Sequence, residues 1–167
     1  MLGYLLGIPL MILLAVLQSS VVSEITLLEG QLDLILVTTV AWSLAGRSKD
    51  AMVLGLIGGL LLDLLSGMPF GSTAIIYVGV LFLTSLLEGQ FWGGHLLLPP
   101  AITLLASLLV YSYQLGMLYI LGRQVSLAYA LPRVVLPSTL LNILFALPVY
   151  HLLTSLFHRL FPAEVQI

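Results

Sequence analysis

From Met52 to Gly67 the chain reads as an apolar run with glycines at 55, 58 and 59 and one charged residue, Asp63. A helix that is apolar all round is buried in a large core or in lipid. The rest of the chain decides between these. Only 7% of the 167 residues are charged, 60% are hydrophobic, and the mean hydropathy is +1.19. A soluble domain carries about 25% charged residues to cover its surface. The solvent of this chain is therefore a bilayer. Membrane β-barrels show short alternating segments, whereas these apolar runs are continuous, so the expected fold class is an all-α polytopic membrane protein.

At about 20 residues per span the chain has room for six or seven helices and little else. Six segments are predicted, at 4–22, 32–45, 51–66, 71–87, 96–121 and 134–160, forming a single transmembrane domain over 1–167. The breaks carry the chemistry of helix ends. Residues 23–31 hold the acids Glu24 and Glu29, and 46–50 form a charged turn with Arg47, Lys49 and Asp50. Gly67-Met-Pro-Phe-Gly71 places glycine just past a helix end and proline beyond it. A glycine-rich stretch with Trp92 runs from Glu88 to His95, and the longest predicted loop is 122–133. No basic residue precedes the first apolar segment, so that segment lacks the charged start of a cleaved signal peptide and is expected to stay.

The short Arg47/Lys49 turn favours the cytoplasm. Six spans then put both termini inside, with Arg123 and Arg133 outside. Asp63 falls about 18 Å along its helix from Ala51, in the outer half of a hydrocarbon core about 30 Å thick. The following turn, 67–71, dips below the outer surface and must be covered by protein or line a wet cavity.

A carboxylate at that depth needs a reason. One reading is a proton or cation relay. The other is structural: Asp63 accepts hydrogen bonds from the free N–H groups that open the next helix near Gly71, Ser72 and Thr73. The structural reading is favoured because no second intramembrane acid completes a relay, and Arg133 is the candidate counter-charge. Gly55, Gly59, Asp63 and Gly67 recur every four residues and form one helical stripe on which another helix can approach closely. Packing within the chain is favoured over a homodimer as the use of that stripe. Asn142 is expected to bond between helices, and Pro148 to kink the last helix. Tyr111, Tyr113, Tyr119 and Tyr129 are expected to form an aromatic belt at the outer interface.

The chain offers little else for chemistry. It has no cysteine, its three histidines lie at no metal spacing to an acid, and five Lys+Arg residues spread along it exclude nucleic-acid binding. No phosphate loop, His-Glu-x-x-His or Gly-x-Ser-x-Gly motif occurs, so no enzyme, cofactor or metal site is expected.

The segment Gly55 to Gly71 resembles the signature region of the MreD family, bacterial rod shape-determining membrane proteins. The family pattern falls on Gly59, Asp63, Ser66-Gly67 and Gly71, with Pro69 inside the turn. Leu32-Asp33 through Trp42-Ser-Leu is similar to the family's second helix, and Asn142, Pro148 and Tyr150 to its last. The resemblance implies a six-helix fold like that of the substrate-binding subunits of energy-coupling-factor transporters. It also implies a non-catalytic membrane subunit of the cell-elongation complex. The expected partners are MreC directly, then MreB, RodA and a class B penicillin-binding protein, in the bacterial cytoplasmic membrane. The alternative is a vitamin-like solute-binding subunit of a transporter, with a pocket around Asp63, Asn142 and the tyrosines.

Overall fold

A computed structural model of the chain describes residues 2–22, 27–86 and 97–160. All regular structure among them is helical apart from one isolated bridge between Leu27 and Gly30. Helix α1 spans Leu2–Leu17 and runs on as a π-helical turn, Gln18–Val22. Then come α2 (Leu34–Leu44), α3 (Ser48–Ser66), α4 (Ser72–Leu86) and α5 (Leu98–Ile120). A short α6 (Leu127–Ala130) passes through a second π-helical turn, Leu131–Val135, into α7 (Leu136–Leu160). Gly3–Ser20, Leu98–Ile120 and Leu127–Phe157 are each long and apolar enough to cross a membrane, and α2 and α4 are shorter apolar helices. The chain is a helical membrane protein.

The last helix begins earlier than the sequence reading places it. The expected 122–133 loop is helical from Leu127, so Tyr129 is helical rather than in a loop. Pro132 and Pro137 each remove a helical donor in this stretch. The π-helical turn absorbs this, with the Leu136 N–H reaching back to the Leu131 carbonyl. Helix α3 likewise starts at Ser48, before the predicted 51. His95 and Glu24 lie outside the described residues.

Helix α2 is the axis of the bundle. It packs against α1, α3, α4, α5 and α7. All of Ile35 to Ser43, nine of its eleven residues, are buried. That explains its composition: a helix surrounded by others needs no polar face. Eleven residues cover only about 16 Å, roughly half a hydrocarbon core, so α2 begins at depth. Its far end is closed by aromatic packing. Trp42 meets Phe157 of α7 edge to face at 4.8 Å, and Arg47 lies over the Phe157 ring at 5.6 Å. Arg47 also pairs with Asp50 at 2.7 Å. A Cβ on Gly3 would strike Asp50 and Arg47, and one on Gly7 would strike Leu54, so these glycines let α1 lie against α3.

Candidate functional site

The other end of the bundle gathers the C-terminal parts of α1, α3 and α5 with the N-terminal parts of α2, α4 and α7. Two buried carboxylates stand there, Asp63 and Asp33, 3% and 6% exposed.

Asp63 closes the corner between α3 and α4. Gly67 ends α3 in the left-handed conformation (φ +67), and Gly71 turns into α4 at φ +91. The Ser72 N–H bonds the Pro69 carbonyl at 3.0 Å. Asp63 then accepts from the free donors of the new helix. Gly71 N–H reaches Oδ2 at 2.8 Å, Thr73 N–H reaches Oδ1 and Oδ2 at 3.1 and 3.2 Å, and the Ser72 hydroxyl makes a longer contact of 3.4 Å. The positive end of the α4 dipole adds to these bonds. Arg133 is not the counter-charge of Asp63. It pairs at 3.6 Å with Glu29 and stacks over Tyr129 at 5.0 Å. The earlier start of the last helix holds its guanidinium at the exposed rim, and backbone N–H groups serve Asp63 instead.

The glycine stripe is occupied by α4. A Cβ on Gly59 would lie 2.5 Å from the Ala74 Cα and 2.7 Å from its nitrogen, so backbone meets backbone there. A Cβ on Gly55 would meet only the tip of Leu81, at 2.4 Å. Gly58, which the four-residue spacing leaves out, faces α2: its Cβ would lie 2.5 Å from Ile35. Ser66 is exposed at the corner.

Asp33 is a second buried acid at this end, against the expectation that Asp63 stands alone; it caps α2, a role the sequence reading did not single out. Its Oδ1 accepts from the Leu36 N–H at 3.0 Å and from the Gln18 amide at 3.2 Å, and the Tyr77 hydroxyl donates to Oδ2. The Gln18 carbonyl oxygen accepts from the Ile35 N–H at 3.2 Å, so one side chain from the π-helical turn serves two groups. Asn142, fully buried, completes the cluster. Its Oδ1 accepts from the Asp33 N–H at 2.8 Å, and its amide donates to Ser107 at 2.9 Å and Tyr111 at 3.2 Å. Tyr111 therefore works inside the bundle, not in an aromatic belt, whereas Tyr119 and Tyr129 are exposed. Pro148 lies further along α7, away from both carboxylates.

The loop before α2 is fastened to α7 at the same level. Pro137 has no N–H, which leaves the carbonyl of Arg133, four residues back, without a helical donor. The Glu29 N–H fills it at 3.1 Å. The Gln31 N–H bonds the Ser138 hydroxyl at 2.9 Å, and Gly30 lies so close to Pro137 and Ser138 that a Cβ would sit 2.5 Å from the Ser138 nitrogen. Among the described residues only the Trp42 indole nitrogen and the Thr139 hydroxyl are buried without a partner, and no group of three potential metal ligands occurs.

Fold and site together define a helical membrane protein in which Asp63, Asp33 and Asn142 spend their hydrogen bonds on holding helices and loops to one another. The model of the family described as rod shape-determining protein MreD matches residues 1–159, and the chain belongs to that family. No curated protein and no solved structure matches it.

Proposed function

We propose that this chain is a non-catalytic scaffold subunit of the bacterial cell-elongation complex. It binds MreC directly and so helps organise side-wall peptidoglycan synthesis with MreB, RodA and a class B penicillin-binding protein. It sits in the cytoplasmic membrane as one multi-pass domain with both termini inside. The fold likeness to energy-coupling-factor substrate-binding subunits is part of the same proposal.

The observation that carries it is the family membership over residues 1–159. The site supports it: Asp63, Asp33 and Asn142 are committed to α4, α2 and α5. A hydrophilic solute would have to compete with these internal bonds for its own. Rigid helices joined by satisfied polar pins suit a subunit that offers a fixed surface to a partner.

Co-purification with MreC in mild detergent tests the reading. A stable one-to-one complex is expected. No association, together with saturable binding of a vitamin-like molecule to the purified chain, would replace the scaffold with the solute-binding alternative.

A further inference from the structure

The loop that leads into α2 carries two leucines that stand exposed among the described residues. Leu27 and Gly30 exchange both backbone hydrogen bonds, at 3.0 and 2.9 Å, closing a tight turn over Leu28 and Glu29. Leu28 holds φ +60. That conformation suits glycine or asparagine, because a Cβ crowds the following carbonyl. Here it presents a leucine that is 71% exposed beside Leu27 at 50%. A strained, outward-facing apolar side chain points to a contact outside the chain.

The height of the turn says which contact. Glu29 is bound through its N–H to the Arg133 carbonyl at 3.1 Å, and its carboxylate pairs with the Arg133 guanidinium and accepts from the Tyr129 hydroxyl. Arg133 stands twenty-four residues from Phe157, where Arg47 marks the opposite end of the bundle. That separation is roughly 36 Å of helix. A hydrocarbon core is about 30 Å thick, so two arginines that far apart lie just beyond its two boundaries. Arginine with tyrosine is also the side-chain pairing found at headgroup level. The exposed Leu131, Leu136, Leu140 and Leu144 start at the same level and run from the π-helical turn down α7, so the turn continues a lipid-facing apolar surface.

We propose that the Leu27–Leu28 turn is an interfacial anchor. It inserts both leucines among the lipid headgroups and fixes the depth of the Asp33/Asp63 end of the bundle. The burial of two leucines in lipid offsets the strain at Leu28. The inference rests on the membrane placement alone and stands whether or not MreC is the partner.

The chain has no cysteine, so single cysteines report cleanly. Leu28→Cys and, separately, Leu27→Cys are labelled with a nitroxide in the full chain, reconstituted in phosphatidylethanolamine/phosphatidylglycerol nanodiscs. Accessibility to oxygen and to a water-soluble nickel chelate is read by power saturation. Leu144→Cys, mid-way down α7, is the lipid reference and Lys49→Cys the water reference. Both turn positions are expected to give an oxygen-to-nickel accessibility ratio between those at Leu144 and Lys49, the signature of headgroup depth. Nickel access equal to that at Lys49 overturns the proposal. Shielding from both reagents also overturns it, because a second protein chain would then cover the turn.

Discussion

A single carboxylate in an apolar helix is expensive unless its charge is matched, and Asp63 is matched by amide groups rather than by a cation. Its two strongest partners are main-chain donors that no substitution at 71 or 73, short of proline, would remove. The cost of losing Asp63 therefore falls on those donors. Asp63→Leu leaves one buried and one half-buried N–H group unpaired, at about 1–3 kcal/mol each at most. Unfolding in detergent, followed by circular dichroism, should show about 2–6 kcal/mol less stability. Asp63→Asn keeps one acceptor oxygen and should lose less than half of that; equal losses would mean that the charge, not the acceptor geometry, holds the corner. The glycines separate in the same way. Gly59→Ala drives a methyl into the Ala74 backbone and forces α3 from α4, whereas Gly55→Ala displaces only the end of Leu81. Overpacking costs about 1–3 kcal/mol where the neighbour cannot move. Gly59→Ala is expected at or above the top of that range and Gly55→Ala near its bottom, in the same unfolding measurement.

Among elements, the prolines of the last helix do more than bend it. Pro137 frees the Arg133 carbonyl, and the loop before α2 uses it. Pro137→Ala restores an N–H that competes for that carbonyl, so α7 gains a helical bond while the loop loses its tie. Hydrogen–deuterium exchange should be faster in a peptide covering 27–33 and unchanged in one covering 71–77; unchanged exchange in the loop would show that Ser138 and Asn142 hold it unaided. The contrast with the α3–α4 corner explains what could be read in advance. Asp63 and its donors lie within ten residues of each other, so local rules for helix ends placed them together. Asp33 draws on Gln18, Tyr77 and Asn142, which are 15, 44 and 109 residues away. No periodicity carries that information. Arg133 was misassigned for the same reason: its partner Glu29 is far off in sequence, and only the fastening of the loop to α7 brings it near. The segment 32–45 was legible as a short helix, but its burial at the axis depends on five neighbouring helices.

At the scale of the whole molecule, the polar end and the aromatic end of the bundle give the protein two distinct levels. Arg47 and Phe157 close one, and Glu29, Tyr129 and Arg133 rim the other. Between them the exposed surface of the described residues is mostly apolar, including Leu5, Ile75, Leu105 and Leu144. Such a surface is neutral toward lipid, so orientation is left to the few charges at the ends. The Lys49 turn and Arg123, two residues beyond Leu121, belong to opposite ends of the bundle. Lys49→Cys and Arg123→Cys should therefore never react with a membrane-impermeant maleimide from the same side. In intact spheroplasts Arg123→Cys is expected to label and Lys49→Cys to label only after permeabilisation. The reverse pattern would invert the orientation while leaving the bundle intact. Labelling of both from one side would contradict the antiparallel helix arrangement itself, and with it the shared level of Asp33 and Asp63 on which the reading of the site depends.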